Sequence, residues 1–493
     1  MEPALRQLRP SSAEPATPGS RLRSRPAGLD RTAWPYALLA LAAVAATAMR
    51  LRFAGVPLTA DEGGYAVIAS LWADGAALYD TAWVDRPQGL VVLYRLAAEA
   101  GPTGVRVLTL VATVVTTAAV GWAAQTLAGR RAAVLAVALY VLVSPAPRLE
   151  GWAANGELLA GSLTTTGIAC LLSWWKGGHG SGRLLAAGML LVSSAPLVKQ
   201  SAVEGLLVAV VLVAPHAHAR WRALGWAVLP WAVALAHAVT VGLDRWWFAV
   251  AGYRLYADRP TDGVLGRLGL FWDAVPPLFL DAAPLLAVGV ISVGRLSRRH
   301  RIYGAWLLGG LVGVVGGGLF HPHYWLQLLP LGAVAAAVVW SRAPRRVLPA
   351  VVAGVVVLAA GWVPFLLTRS PEELVVDATG EPRLATAEEL GHELASLSGP
   401  DDTVLVVWAA ASVYVYAERD PATPYLWFRP LRFIDGASGA ILDRMGGTDP
   451  PAAVAVAQPP ALLDPGGRLW QLLRERYQRV STIDGVPVYA LRG

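Results

Sequence analysis

The feature that most constrains this chain is a succession of apolar runs separated by short clusters of Arg, Lys and His. About 20 apolar residues make about 30 Å of helix, the thickness of a bilayer's hydrocarbon core. Charged residues are only 15% of the 493, against about 25% in a soluble domain, and mean hydropathy is +0.48. The sequence therefore predicts an α-helical multi-span membrane protein. The alternating strands of about ten residues that mark a β-barrel are missing. A net charge of +7 invites nucleic acid. The basic residues, however, fall between apolar segments, as cytoplasmic loops do, so no nucleic-acid partner is expected. Cys170 is the only cysteine, which rules out an internal disulfide.

Residues 1–32 are rich in Pro, Ser, Ala and Arg and read as a disordered cytoplasmic tail. A first span, about Trp34–Met49, ends at Arg50 and Arg52. Positive loops stay inside, so the chain then runs outward and places Asp61 outside. Applied turn by turn, the same rule puts Arg130–Arg131, Lys176 with Arg183, His216–Arg222, Gly294–Arg301 and Ser341–Arg346 inside. It closes at about eleven spans, the last about Val347–Leu367. The spans fill residues 33–368. Beyond them, helical patterns alternate with short apolar runs such as Thr403–Trp408, Ala452–Ala457 and Val486–Leu491. Such alternation predicts a small α/β domain over 369–493, outside the membrane. Gly466–Gly467 opens one of its helices, but a lone glycine pair is a poor phosphate-loop signal.

Asp61 and Glu62 stand side by side just past the first span. Acids at the mouth of a membrane domain are costly to place there without a use. They suit two readings. One is a helix start, where acids complement the dipole and cap free N–H groups, with Tyr65, Val67, Ile68, Leu71 and Trp72 lying flat on the membrane. The other is catalysis: a carboxylate removes the proton that makes a hydroxyl a poor nucleophile, with Asp61 as the base and Glu62 as a metal ligand or orienting group. His321 and His323 invite a metal reading, although an interfacial His-X-His is more often a polar pair at a helix start. Lys199, predicted outside, breaks the charge pattern and suits either a phosphate or snorkelling to headgroups.

The order of span, Asp61-Glu62 and Tyr65 resembles the first outer loop of the GT-C superfamily of membrane glycosyltransferases. The nearest branch is family 39-like, with the protein O-mannosyltransferases and the aminoarabinose transferases of lipid A. Val84–Leu96 sits where that family often carries Lys-Pro-Pro-Leu. Leu197–Val203 is similar to its Lys-Gln motif, and His321–Ala333 to its His-Tyr-Phe-Leu-Gln run. Arg86 and Gln88 depart from the family's Lys and second Pro; Arg retains a bidentate grip on phosphate.

The resemblance implies a GT-C fold and an enzyme that transfers a sugar, with inversion, from a polyprenyl-phosphate carrier to a hydroxyl acceptor on cell-wall glycan, lipid or protein. The work takes place at the outer face of the plasma membrane, with Asp61 as general base and Glu62 beside it. Arg86, Lys199, Gln200, Arg254, His323, Tyr324 and Gln327 are then candidates for the carrier phosphate and donor, with Tyr65, Glu150 and Glu157 also in the site. A divalent metal held between Asp61 and Glu157 is a further expectation, since hard carboxylates suit one. The loop Asp244–Asp273, with Arg254, Tyr256 and Arg259, is long enough for a lid. The alternatives are a flippase for lipid-linked sugars and a non-catalytic envelope-assembly protein. A flippase should show paired half-repeats and mid-membrane charges; no repeat is evident, and the acids cluster at one surface.

Overall fold

A computed structural model describes residues 48, 50–257, 263–281, 283–297, 300–316, 318–342, 362–407 and 410–493. The tail, almost all of the first expected span and most of the last lie outside the described residues, as does Arg259. The helices in chain order are α1 (Ala60–Ala73), α2 (Gln88–Ala98), α3 (Gly101–Ala128), α4 (Arg130–Val143), α5 (Gly156–Lys176), α6 (Gly182–Ser194), α7 (Glu204–Val213) and α8 (Ala217–Val241). Then follow α9 (Gly263–Asp281), α10 (Ala283–Ser297), α11 (Arg301–Val315) and α12 (Leu329–Trp340).

Among the described residues four helical stretches are long and apolar enough to cross a membrane: α3, α5, α8 and Pro322–Trp340. Shorter apolar helices occupy Gly182–Leu197, Glu204–Val213, Val288–Ser297 and Arg301–Val315. One of the shorter helices ends for a local reason: Pro196 sits in a 3₁₀ turn, Ala195–Leu197, and proline lacks the N–H that continues an α-helix. The expected lid loop is mostly helix. Leu243–Trp247, a π-helical turn Phe248–Gly252 and Tyr253–Ala257 run on from α8, and α9 follows. The apolar content of that stretch, including Trp246, Trp247 and Phe248, favours helix over open loop.

α8 presents apolar side chains to the outside, with Trp221 80%, Val233 64% and Val239 62% exposed. An apolar helix left uncovered in this way belongs against lipid tails. α5 is its opposite, buried along most of its length. It approaches α6 through small residues: a Cβ on Gly167 would lie 2.6 Å from Val192 Cγ1, and one on Gly188 2.7 Å from Leu171 Cγ. Close approach through small residues is how helices pack where lipid removes the hydrophobic drive. The chain is a helical membrane protein.

The C-terminal part carries α13 (Pro371–Thr379), α14 (Ala387–Ser396), α15 (Ser412–Ala417), α16 (Ala437–Gly446) and α17 (Arg468–Arg476) around one sheet. Its strands are β1 (Val404–Val406), β2 (Ala453–Ala455), β3 (Tyr477–Ile483) and β4 (Val486–Leu491), in the order β1-β2-β4-β3. β1 and β2 are parallel, with Val404 opposite Ala453; β4 is antiparallel to both β2 and β3. The β3–β4 turn is Asp484-Gly485, both with positive φ, the sequence a two-residue hairpin favours. β3 is a strand that the sequence reading did not separate from the preceding helix. Leu405, Ile441, Met445, Val454, Leu469 and Leu473 form a core of their own between the sheet and its helices.

α1 is set by its first turn. Thr59 accepts from the Glu62 N–H at 3.1 Å while the Glu62 carboxylate accepts from the Thr59 N–H at 3.0 Å, a capping box. The other Glu62 oxygen accepts from Arg106 Nη1 of α3 at 2.7 Å and from the Ala154 N–H at 2.9 Å. Arg106 in turn donates to the Val56 and Pro57 carbonyls. Glu62 is fully buried, so this pair pins α1 to α3. Removing one member of such a pair costs about 3 kcal/mol. Glu62→Ala should lower the thermal midpoint of the detergent-solubilised protein, and adding Arg106→Met should recover part of the loss; an unchanged midpoint would show that the pair is no anchor.

Candidate active site

Successive helical residues point about 100° apart. With Glu62 turned inward, Asp61 therefore faces a cavity of about 840 Å³. Tyr65 stands one turn further on the same face. Its hydroxyl donates to Asp61 Oδ2 at 3.1 Å. Burial pushes the Tyr65 phenol well above its usual value, with the Asp61 charge adding to the effect and Arg86 opposing it, so it keeps its proton as a donor. The other oxygen, Oδ1, accepts from the Trp427 indole N–H at 3.2 Å.

Asp85 organises the cationic wall. One of its oxygens takes Arg86 Nη1 at 3.0 Å and the other Arg254 Nη2 at 2.5 Å. Two guanidinium groups thus share one carboxylate. Arg86 is almost fully buried, and its Nε has no hydrogen-bond partner among the described residues. Gln200 Nε2 donates to the Asp85 and Val250 carbonyls and so braces this wall from behind. Gln88, the departure from the family pattern, accepts from the Tyr79 hydroxyl and the Trp246 indole and donates to Ala234. It holds α2 to α8 and its extension.

The third wall comes from the turn at His321–Leu328. His321 and His323 stack at 5.4 Å, both lining the cavity with Tyr324. His323 Nδ1 lies 3.2 Å from Glu150, and Nε2 3.7 Å from Glu157. His321 is exposed on the cavity side; desolvation by the groups around it, with His323 beside it, pushes it down to about 4. Lys199 and Glu157 form a buried ion pair under this wall, with the Lys199 ammonium 4.2 Å from the Tyr324 ring centre.

Of the expected residues, Asp61, Tyr65, Arg86, Glu150, Arg254, His323 and Tyr324 line one cavity. Glu62, Glu157, Lys199, Gln200 and Gln327 stand outside its lining and support it. Gln327 packs against Gly313, where a Cβ would meet its Oε1. Among the described residues no three His, Cys, Asp or Glu side chains gather as a metal site. Glu157 is engaged by Lys199 instead of opening on the cavity beside Asp61, so these two carboxylates do not fit as a shared pair of metal ligands.

The sequence reading missed the fourth wall, which the C-terminal part supplies through Glu381, Arg383, Trp427 and Arg429. Burial, Asp61 and Glu150 raise the Glu381 carboxyl above its usual value. What seats this wall is Gly63-Gly64. A Cβ on Gly63 would lie 2.2 Å from Ser412 Cα, and one on Gly64 2.2 Å from the Trp427 ring. Two adjacent glycines inside a helix, each costing about 1 kcal/mol relative to alanine, were the available signal.

This architecture is the fold of the GT-C membrane glycosyltransferases. The chain is similar to the crystal structure of ArnT from Cupriavidus metallidurans bound to undecaprenyl phosphate, with TM-score 0.62, 16% identity and coverage of 94% of this chain and 98% of that one. Against the apo state of the same ArnT the TM-score is 0.57 at 16% identity, covering 93% and 98%. An oligosaccharyltransferase, AglB from Archaeoglobus fulgidus in complex with an inhibitory peptide and a dolichol-phosphate, gives 0.50 at 13% identity over 87% of this chain and 70% of that one. No family model and no curated protein matches the sequence.

Gly63→Val should push α15 off α1. Amide exchange in Ser412–Ala417 should rise at least tenfold, equivalent to about 1.4 kcal/mol of local opening, while α3 and α5 stay protected. Unchanged exchange in α15 would show that the close approach is not what seats the C-terminal part.

Proposed function

We propose that this protein transfers a sugar, with inversion, from a polyprenyl-phosphate carrier to a hydroxyl acceptor at the outer face of the plasma membrane. The observation that carries the reading is the meeting, in one cavity, of an Asp61 carboxylate and the Arg86–Asp85–Arg254 cluster. Such a transfer needs a base for the acceptor and cations for the leaving group. Asp61 takes the proton of the acceptor hydroxyl as its oxygen attacks the anomeric carbon. The bond from that carbon to the phosphate oxygen breaks, and its electron pair leaves with the phosphate. Arg86 and Arg254 hold the growing charge, since a guanidinium can grip a phosphate through two N–H groups.

Support for the donor class comes from the neighbours: ArnT was crystallised with undecaprenyl phosphate and AglB with dolichol-phosphate. The eleven-span arrangement read from the charge pattern, with the cavity and the C-terminal domain outside, belongs to the same proposal. His323, Tyr324 and Glu150 form the wall opposite the Arg pair and suit contacts to sugar hydroxyls. Lys199, Glu157, Gln200 and Gln327 keep those contact groups in place, and Glu62 fixes the direction of Asp61.

The test is an assay of purified protein with a panel of polyprenyl-phosphate sugars and a hydroxyl acceptor. Asp61→Asn should cut turnover by about 10²–10⁴-fold while undecaprenyl phosphate still binds. Arg86→Gln should weaken that binding about tenfold or more, the worth of one charge-assisted contact. Absence of free lipid phosphate from every donor, or full turnover by Asp61→Asn, would defeat the proposal.

A further inference from the structure

Trp427 reaches the Asp61 carboxylate from 366 residues further along the chain. Its indole N–H donates to Oδ1 at 3.2 Å while Tyr65 donates to Oδ2 at 3.1 Å. The ring is seated on Gly64 and lies 5.6 Å, centre to centre, from Tyr65. Arg429, two residues on, donates to the Ala257 carbonyl at 2.7 Å. The same stretch of chain is thus tied both to α1 and to the segment that carries Arg254.

A carboxylate's terminal torsion is broad and nearly two-fold. An aspartate held by one donor still swings; one held by a donor on each oxygen does not. Building on the transfer reaction proposed above, we propose that Trp427 is a positioning residue. Its indole N–H fixes the Asp61 carboxylate so that a remaining lone pair faces the acceptor hydroxyl, and the C-terminal part thereby completes the active site. The arrangement explains why α1 tolerates two helix-weakening glycines directly after its acids: any side chain at Gly64 would displace the ring that holds Asp61.

Trp427→Phe keeps an aromatic ring, smaller than the indole, and removes the N–H. In the full chain in nanodiscs, its turnover should fall about tenfold, the worth of one hydrogen bond to a charged group. KM for the lipid-linked donor and binding of undecaprenyl phosphate should not change, and in an Asp61→Asn background the substitution should add nothing. A separate readout is the indole N–H resonance of Trp427, identified by its loss in Trp427→Phe, which should move in Asp61→Asn. Turnover within twofold of wild type, a parallel loss of donor binding, or a resonance indifferent to Asp61→Asn overturns the assignment. Wild-type protein that transfers no sugar while the resonance still moves overturns the transfer reading, and the positioning role with it, but not the contact.

Discussion

The site depends on one geometric constraint: neighbouring residues on an α-helix cannot face the same way. Asp61 and Glu62 are chemically similar, yet only one of them can open on the cavity. Thr59 and Arg106 decide which. Thr59 makes Glu62 the third residue of a capping box, and Arg106 gives its other oxygen a buried partner. Stripping Glu62 from Arg106 would leave an unpaired charge in the interior, so the rotation of α1 about its axis is fixed. Asp61 then stands over the cavity, with Tyr65 one turn below it.

Around that carboxylate the charges are arranged in layers. Arg86 and Arg254 are not free cations; both lean on Asp85, which keeps two long side chains in one place before any anion arrives. The His323 wall is built in the same way, with Glu150 and Glu157 beside its ring and the Lys199–Glu157 pair beneath. Preorganisation of this kind removes the cost of ordering side chains during a reaction. It also explains why conspicuous polar residues such as Lys199 and Gln200 lie just outside the cavity: they fix the groups that line it.

Much of the fold was legible in the sequence because it rests on composition. The basic clusters at Arg130–Arg131, Lys176 with Arg183 and His216–Arg222 fall at the ends of α3, α4, α5, α6 and α8. The breaks were harder to see. Pro196 and Pro322 were visible, yet whether a proline shortens a span or only bends it depends on neighbours that the sequence does not place. The stretch Asp244–Asp273 read as a loop long enough for a lid; Asp80 and Asp85 pair with Arg245 and Arg254, and the chain between these two arginines is helical. At the site, Asp61 stood out by its place just past the first span, and Tyr65 and His323 through the resemblance to the GT-C family. Trp427 was not, because nothing local distinguishes it from the other tryptophans. Its role follows from a contact made across almost the whole chain.

That distant contact shows how a cavity between membrane helices gains a wall from outside the bundle. The helices give stiff ends and hold Asp61, Asp85 and His323 at fixed positions, but a helical bundle alone leaves its mouth open to water. Hydroxyl activation by a carboxylate and capture of a lipid phosphate both strengthen as water is excluded. A wall seated on Gly63-Gly64 and tied through Arg429 to the Ala257 carbonyl covers part of that mouth. The glycines weaken α1 locally, and the packing of Ser412 and Trp427 against them offsets the loss. The short interval from Asp61 to Tyr65 therefore does three things: it closes the helix cap through Glu62, turns the Asp61 carboxylate to the cavity and seats the wall beside it.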